Sequence, residues 1–449
     1  MKVGFGSASI TPKGGKIIIA GGIPVRFTDV VHDDVRAVAM VIEQDDTRTI
    51  WVGCDMCHPT KKLTDTVIDS LKKHIADFNA DEFIMTATHT TAYFYLTDDE
   101  FLNSFDVDLT PVIPLEESRN QVCEGVTKAV LEALSNMDDC SVEFAASDII
   151  TGLCRRVVYK DGSAEIYRDV HSDEFLRMEY PDGTGVQLLY FYNKRNRQLA
   201  GIFAAVPCPA QADETSVYIT ADYWATVRER IAEEFGSNVN MLGVCRAAGE
   251  LSPHRFIKID AGISGGGWGC AAAQKLGLHI ADAIIKEKNR PICVFDSENI
   301  PHSRITTEIS FPIRKPSEDE IQMAKKYFEN SKVNTGECNL QEKAAATHIL
   351  KVINAGDFYK SRVSVMKIAD LLFFTCPAEL YTEYAKRIST RFPDNPVFDI
   401  QLANDSLGYL PTKEAIERGG YSTKLISTVT PPEGGDLFVD ETVNLLKQL

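Results

Sequence analysis

The sequence predicts an α/β fold in which mixed β-sheets are layered with helices, and three observations predict it. Segments with apolar residues at helical spacing alternate along the chain with short apolar runs typical of strands. Hydrophobic residues make up 44% and charged residues 25% of the 449 residues, which is ordinary globular usage. No repeat and no low-complexity segment interrupts this alternation.

Each predicted element follows from its local pattern. Strands are predicted where short apolar runs occur, at Ala37–Ile42, Thr49–Gly53, Glu82–Thr86, Val186–Tyr192, Gly201–Val206, Asn240–Cys245, Val363–Ile368 and Leu371–Thr375. Helices are predicted where apolar residues recur at helical spacing, at Leu63–Phe78, Val122–Leu134, Ala221–Phe235, Ala271–Lys286 and Glu379–Phe392. The two runs Val186–Tyr192 and Gly201–Val206 are predicted to pair.

The domain organisation is predicted from one polar stretch, residues 299–343. Strand patterns resume after it at Val363–Ile368, so we predict a single domain of residues 1–449. A subdivision near residues 300–345 is the alternative.

The charge and the termini bear on partners and location. The formal net charge is −17 and no Lys/Arg-rich run occurs, which argues against nucleic-acid partners. The start of the sequence lacks the apolar core of an export signal, and no apolar run reaches the ~18 residues that cross a bilayer. We therefore expect a cytoplasmic protein without an integral membrane segment, whose 11 cysteines are mostly reduced and buried.

Chemically reactive side chains follow five predicted strands. His89, Cys208, Ser252 and Glu379 follow four of the strands above, and Tyr409 follows a further apolar run, Phe398–Leu402. Ligands of α/β proteins bind beyond the carboxyl ends of strands. We therefore expect these five residues to open into one cleft.

Short motifs in a fixed order connect the sequence with a known family. They are Gly4–Pro12, His32–Ala37, Ala87–Thr90, Gly249–Pro253, Cys376–Glu379, Gly408–Thr412 and Gly419–Tyr421. In this order they resemble the catalytic domain of neutral/alkaline (non-lysosomal) ceramidases, in a bacterial type without further domains. The resemblance covers nearly the whole chain and leaves no room for the C-terminal β-sandwich of long ceramidases.

The resemblance implies a zinc ion held by two histidines, a glutamate and a tyrosine. His89, Glu379 and Tyr409 occupy three of the matching positions. Cys208, in Cys208-Pro209, is the best match for the other histidine, with a shift of one residue. Imidazole, carboxylate and thiolate are ordinary zinc ligands, and zinc makes a bound water nucleophilic.

Four further residues complete the predicted site: Arg155, Glu250, Ser252 and Tyr421. Arg155 and Tyr421 match site residues of the family and would stabilise an oxyanion or hold a polar group of the substrate. Ser252 would line the pocket, and Glu250 is a candidate proton acceptor. The resemblance thus implies a zinc-dependent hydrolase of an amide, or less often an ester.

Departures from the family pattern keep other functions open. The second histidine of the motif after His89 is Thr91 here, and the glycine-rich segment that follows is replaced by Ala92–Tyr95. This change, with no export signal and no C-terminal domain, favours a small soluble substrate over ceramide. One alternative is a metal-free protein that binds a polar metabolite without catalysis. Another is a metal-free thiol enzyme that uses Cys208 and a nearby base.

Three patterns have competing interpretations. Cys54–His58 matches a c-type haem attachment pattern, but haem is attached outside the cytoplasm, and the resemblance instead places Asp55 near the site. Gly265–Gly269 precedes a helix and could bind an anion, but it does not fit a nucleotide-binding motif and is interpreted as a structural loop. Glu379 is the first residue of a predicted helix, where a negative charge is favourable, so it could also serve only to stabilise that helix.

Overall fold

The computed structural model describes residues 1–20, 26–94, 112–168, 170–254, 267–329, 349, 352–353 and 355–449. Strands and helices alternate through these ranges, which confirms the predicted α/β class. The helices are α1 (Lys61–His74), α2 (Leu115–Ser135), α3 (Tyr223–Phe235), α4 (Cys270–Glu287), α5 (Glu318–Glu329), α6 (Thr382–Ser389), α7 (Lys413–Arg418) and α8 (Pro432–Leu446). None of these helices in the described part of the chain combines the length and apolar character needed to cross a bilayer.

The strands form two principal sheets. They are β1 (Lys2–Ser9), β2 (Ile17–Ile19), β3 (Arg26–Thr28), β4 (Arg36–Gln44), β5 (Thr47–Cys54), β6 (Phe83–Ala87), β7 (Asp138–Cys154), β8 (Arg156–Tyr159), β9 (Ala164–Ile166), β10 (Phe175–Met178), β11 (Gly183–Asn193), β12 (Leu199–Val206), β13 (Asn240–Cys245), β14 (Leu251–Ser252), β15 (Cys293–Phe295), β16 (His302–Pro312), β17 (Phe358–Ile368), β18 (Leu371–Thr375), β19 (Glu379–Leu380), β20 (Val397–Ile400) and β21 (Tyr409–Leu410). The first sheet has ten strands, with the path β13-β12-β11-β7-β1-β4-β5-β6 and with β14 and β15 paired to β7. The second sheet has the order β16-β17-β18-β20.

Alternate residues of β4 face two different cores, which shows how the layers are stacked. Ala37, Ala39 and Val41 pack in the core formed with α1, α2, α3 and α4. Val38 and Met40 point to the other face, where the core is shared with the second sheet. A third core joins the far face of the second sheet to α6 and α8. Because strand side chains alternate between faces, the result is helices, first sheet, second sheet and helices in four layers.

Aromatic side chains fill the core between the two sheets. Trp51 of β5 and Phe203 of β12 belong to the first sheet, and their ring centroids are 5.2 Å apart. Phe373 of β18 and Phe398 of β20 belong to the second sheet, and their rings stack at 4.4 Å. The rings of Phe203 and Phe373 meet edge to face at 6.1 Å, across the gap between the sheets. Burial of each such ring contributes about 1.5–3 kcal/mol, so these contacts fix the relative position of the sheets.

Backbone hydrogen bonds join the carboxyl ends of the two sheets. The Ala87 N–H at the end of β6 donates to the Leu402 carbonyl at 3.3 Å. The Gln401 N–H, just after β20, donates to the Cys245 carbonyl at the end of β13 at 3.1 Å. The segments that follow β6, β13, β18 and β20 therefore lie close together.

Most predicted elements are confirmed, with one clear error. The pair Val186–Tyr192 and Gly201–Val206 is confirmed as the antiparallel neighbours β11 and β12. The helix predicted from Glu379 is wrong at its first turn, because Glu379 lies in β19 and α6 begins at Thr382. Gly265, Gly266 and Tyr95 lie outside the described residues, as do residues 330–343 of the polar stretch.

Candidate active site

Two short parallel strands set Glu379 and Tyr409 side by side. β19 pairs with β21 so that Glu379 is opposite Tyr409. Gly249 allows the chain to approach this pair, because a Cβ there would lie 2.6 Å from the Glu379 carbonyl oxygen. The absence of a side chain at Gly249 is therefore needed for the position of Glu379.

His89 follows β6 and faces Glu379. Its backbone φ is +67°, in the left-handed region that residues other than glycine rarely adopt. Its ring Nε2 is 3.1 Å from Oε2 of Glu379. Its Nδ1 is 2.6 Å from the carbonyl oxygen of Cys57. Because a carboxylate and a carbonyl are both acceptors, both ring nitrogens donate, and the ring is an imidazolium.

The electrostatics of this pair agree with that assignment. Burial disfavours the charged ring of His89, but Glu379 and Cys57 outweigh it and raise the pKa of His89 to about 10. Burial also works against the Glu379 carboxylate, yet His89 and Arg155 hold the pKa of Glu379 below its ordinary value. The pair is therefore a buried ion pair, which is stable because each charge has a hydrogen-bonded partner.

Arg155 ties the pair to its surroundings. It follows β7, is 5% exposed, and its Nη2 donates to the Tyr409 hydroxyl at 2.9 Å and to the Gly249 carbonyl at 3.0 Å. The same nitrogen is 3.9 Å from Oε2 of Glu379. Its Nη1 donates to the Tyr167 hydroxyl at 3.1 Å. One guanidinium thus joins the end of β7, the segment after β9 and the paired strands β19 and β21.

Ser252 and Tyr421, two further residues of the predicted site, lie around this cluster. The Ser252 side chain is fully buried, and its Oγ accepts from the His254 backbone N–H at 3.2 Å. The Tyr167 hydroxyl is 3.5 Å from the same Oγ. The Tyr421 ring meets the Tyr409 ring edge to face at 6.0 Å and is 42% exposed. Tyr421 is therefore partly exposed beside the buried residues.

A neighbouring group formed by Glu214, His254 and Trp268 was not predicted from the sequence. The rings of His254 and Trp268 stack at 3.4 Å, and Nε2 of His254 is 3.7 Å from Oε1 of Glu214. Burial raises the pKa of Glu214, although Arg155 opposes that shift. The position of His254, directly after the Ser252-Pro253 motif, was the signal available in the sequence.

A second missed group is Cys57 with His58, which follow β5. The Cys57 Sγ is 3.8 Å from Nδ1 of His89. Burial opposes ionisation of Cys57, but His58 and His89 outweigh it and lower the pKa of the thiol to about 6. The signal in the sequence was a cysteine and a histidine after a predicted strand, within the haem-like motif of which only Asp55 was predicted near the site. Asp55, predicted near the site, accepts from the Thr88 hydroxyl at 3.3 Å and supports the loop before His89.

Two predicted site residues, Cys208 and Glu250, have other partners. Cys208 is fully buried in the core beside the helices, and burial raises the pKa of its thiol. Both carboxylate oxygens of Glu250 accept from the Thr382 backbone N–H at 3.1 Å, which holds the start of α6. Burial raises the pKa of Glu250 to about 7. Within the described residues, neither side chain has a hydrogen bond or ion pair with the histidine–glutamate pair.

The zinc site implied by the resemblance is only partly assembled. His89, Glu379 and Tyr409 meet, whereas Cys208 lies apart in the core. In the described ranges, no three His, Cys, Asp or Glu side chains are grouped so that they could hold a metal ion. Arg155 already supplies a cation beside the carboxylate and the phenol. The donors therefore do not complete the set, and the zinc requirement stays a prediction.

Solved structures of ceramidases share this fold. One is neutral ceramidase from Pseudomonas aeruginosa, with a TM-score of 0.70 and 15% identity over all of this chain and 75% of that chain. Another is a ceramidase complexed with C2, with a TM-score of 0.71 and 16% identity over the same shares. No protein-family model and no curated protein matches the sequence. At such low identity the likeness extends to the fold and not to residue roles. The chain therefore has a neutral ceramidase-like fold, as its motifs predicted.

Proposed function

We propose that the chain is a hydrolase that cleaves an amide, or less readily an ester, in a small soluble substrate. The observation that carries this proposal is the His89–Glu379 ion pair beside Arg155 and Tyr409, where the carboxyl ends of the two sheets meet. The solved structures that it resembles are ceramidases by name. Ceramide is an amide, so amides are the first substrates to test.

The residues of the site suit acyl transfer. A protonated histidine held by a carboxylate can give its proton to the leaving group. Arg155 can stabilise the negative oxygen that develops on the substrate carbonyl, since among the described residues its Nε is buried without a hydrogen-bond partner. The exposed Tyr421 can contact the part of the substrate nearer to solvent.

The test is a hydrolysis screen with short N-acyl amines and p-nitrophenyl esters. We expect His89→Ala and Glu379→Gln each to lower kcat/KM by about 100-fold or more, because each removes one half of the proton-transfer pair. His74→Ala on α1 and Glu433→Gln on α8 are matched controls, since both residues are exposed on the outer helices. Wild-type protein that hydrolyses neither class of substrate would contradict the proposal.

A protein that binds a polar metabolite without catalysis is the second candidate. It is favoured by three buried polar atoms that have no hydrogen-bond partner within the described residues: Arg155 Nε, His254 Nε2 and Thr91 Oγ1. Such atoms are costly unless a ligand or water satisfies them. A compound that raises Tm and is recovered unchanged after long incubation would support this candidate.

A further inference from the structure

We infer that Cys270, His32 and Asp33 form a second reactive centre, in which the thiol is the nucleophile, the imidazole is its base and the carboxylate orients the base. The substrate class is an acyl thioester whose carrier is uncharged or cationic. This centre is separate from the histidine–glutamate pair and does not depend on the hydrolase proposed above. In the described part of the chain, none of its three side chains has a hydrogen bond or ion pair with that pair.

The order of the three groups along one imidazole ring is the first argument. Sγ of Cys270 is 3.4 Å from Nε2 of His32, and Nδ1 of the same ring is 2.9 Å from Oδ2 of Asp33. Because the carboxylate accepts from Nδ1–H, the lone pair of the neutral ring is on Nε2, where it can accept the thiol proton. A nucleophile within hydrogen-bond reach of a base that a third group orients is the arrangement of nucleophilic catalysis.

The anchoring of the base is the second argument. Oδ1 of Asp33 accepts from the Ala221 backbone N–H at 2.7 Å, which fixes the carboxylate. The His32 ring stacks on the Tyr218 ring with centroids 5.0 Å apart, and the His32 backbone N–H donates to the Ile219 carbonyl at 2.9 Å. The ring is therefore held in place before a substrate binds, which lowers the entropic cost of the reaction.

The position of the thiol is the third argument. Cys270 is the first residue of the 18-residue helix α4, and Gly269 before it has a φ of +91°. The Gly269 N–H donates to the Ala212 carbonyl at 2.9 Å, which fixes the start of the helix. The first N–H groups of a helix have no partner within it, so they can stabilise the negative oxygen of an attacked carbonyl. A substrate can reach the centre, because Cys270 is half-buried and the His32 side chain is 42% exposed.

The charges around the sulfur define the substrate class. Burial, Asp213 and Asp33 raise the pKa of Cys270. The resting thiol therefore keeps its proton, and His32 has to remove that proton during the attack. Such a thiol reacts best when the leaving group is another thiol, as in a thioester, and poorly when it is an amine. The two carboxylates also repel an anionic carrier and attract a cationic one.

The acyl transfer is balanced. Sγ of Cys270 attacks the carbonyl carbon and forms a C–S bond as Nε2 of His32 takes the thiol proton. The bond from that carbon to the carrier sulfur then breaks, and the imidazolium gives its proton to the departing thiol. The acyl group remains on Cys270 as a new thioester. Water that attacks it, with His32 again as base, releases a carboxylic acid and restores the thiol.

The test is acetyl transfer from acetylthiocholine, a cationic thioester, to the full wild-type chain. Peptide masses after an acid quench give the rate at each cysteine, and we expect the acetyl group on Cys270. Cys293 is the matched comparison thiol, because it is also half-buried but has no hydrogen bond to an imidazole within the described residues. It should react at least about 10-fold more slowly. This comparison within one chain does not depend on whether a variant folds.

Variants of the base and its carboxylate test their roles. His32→Gln should slow acetylation of Cys270 about 100-fold, and Asp33→Asn about 10-fold. A cysteine that is merely accessible would react at the wild-type rate in both variants. Folding is checked by the Tm of each variant.

Three results would overturn the inference. The first is acetylation of Cys293 in the wild type at the rate of Cys270 or faster. The second is an unchanged rate at Cys270 in folded His32→Gln. The third concerns the substrate class: acetyl-coenzyme A, an anionic thioester, should react at least about 10-fold more slowly than acetylthiocholine at low salt, and the reverse order overturns that class. The adduct is detected by its mass, so each result is independent of whether the proposed hydrolase is active.

Discussion

At the scale of single residues, His89 combines two unfavourable features that its partners offset. Its φ of +67° costs about 1–3 kcal/mol for a residue other than glycine. Its charged ring is almost fully buried, at 3% exposure. The ion pair with Glu379 and the bond to the Cys57 carbonyl compensate for both costs. Strain of this kind is typical of residues whose position matters for function.

Backbone strain at position 89 can be measured with a pair of variants. Both His89→Ala and His89→Gly remove the ion pair, but only glycine adopts a positive φ without strain. In urea titrations we expect the free energy of unfolding of His89→Gly to be about 1 kcal/mol larger than that of His89→Ala. At most positions a glycine variant is less stable than the alanine variant. If His89→Gly is no more stable than His89→Ala, the backbone at position 89 is not strained.

The His89–Glu379 pair also predicts a pH dependence of stability in protein dialysed free of metal. The pKa of His89 rises from 6.5 to about 10 on folding, so its contribution is complete below pH 6.5 and is lost as the pH rises toward 10. The pKa of Glu379 falls below 4.5, so its contribution is present above pH 4.5 and is lost in acid. The difference in unfolding free energy between wild type and Glu379→Gln should therefore be largest between pH 4.5 and pH 6.5. A difference that grows from pH 7 to pH 10 would contradict the predicted loss of stabilisation at high pH.

Metal analysis tests whether the proposed hydrolase needs zinc. We expect hydrolysis to survive dialysis against 1,10-phenanthroline, because the described residues do not supply a complete set of zinc donors. Turnover is measured before and after dialysis, and zinc is measured by elemental analysis. One zinc per chain that is lost together with activity, and whose return restores it, would instead support the zinc-dependent hydrolase.

Much of the site could be predicted from the sequence because its residues lie in short motifs. His89, Glu379, Tyr409 and Arg155 meet as the motifs implied. Cys208 was predicted beside them because it follows a strand and is the best match for a histidine of the family. The direction of a side chain after a strand end, however, depends on packing. Its thiol lies in the apolar core, and no local pattern shows that.

At the scale of elements, the two-residue strand β19 has the largest effect on the site. A strand of two residues has no pattern of its own, and its partner β21 lies thirty residues further along the chain. The local sequence from Glu379 onward favours a helix, and that helix does form, but from Thr382. The strand ahead of it is fixed by pairing between distant residues, which is why the sequence could not show it.

The close approach at Gly249 gives a prediction at this scale. In Gly249→Ala the new Cβ would lie 2.6 Å from the Glu379 carbonyl, so β19 must move. We expect a loss of about 1–3 kcal/mol in stability and a lower kcat, since the carboxylate moves with its strand. Gly356→Ala is the control, because a Cβ there meets nothing within 4 Å. A Gly249→Ala protein with wild-type kcat would show that the position of β19 does not matter.

At the scale of the whole molecule, the sequence predicted the layers better than their connections. Alternating patterns give the strands and helices, and the two faces of β4 follow from its apolar residues on both sides. The central place of the 17-residue strand β7, which pairs with β1, β11, β14 and β15, has no local signal. Strand order depends on which surfaces fit together after folding.

The overall charge gives the prediction that belongs to this scale. With a net charge of −17, the protein should show no measurable binding to DNA, RNA or anionic vesicles at about 0.15 M salt. Fluorescence anisotropy with labelled oligonucleotides and co-sedimentation with vesicles check this. Retention on heparin that weakens as salt is added would contradict it.

The joined ends of the two sheets have a consequence for fragments of the protein. His89 and Cys57 come from the first sheet and Glu379 from the second, and the exposed turn 296–299 lies between the strands of the two sheets. A chain cut in that turn would give two pieces, each with half of the proton-transfer pair and neither able to catalyse alone. Their reassociation would be needed to restore turnover, so recovered activity would report that the two pieces have met. The fold is in this sense a natural candidate for a split reporter.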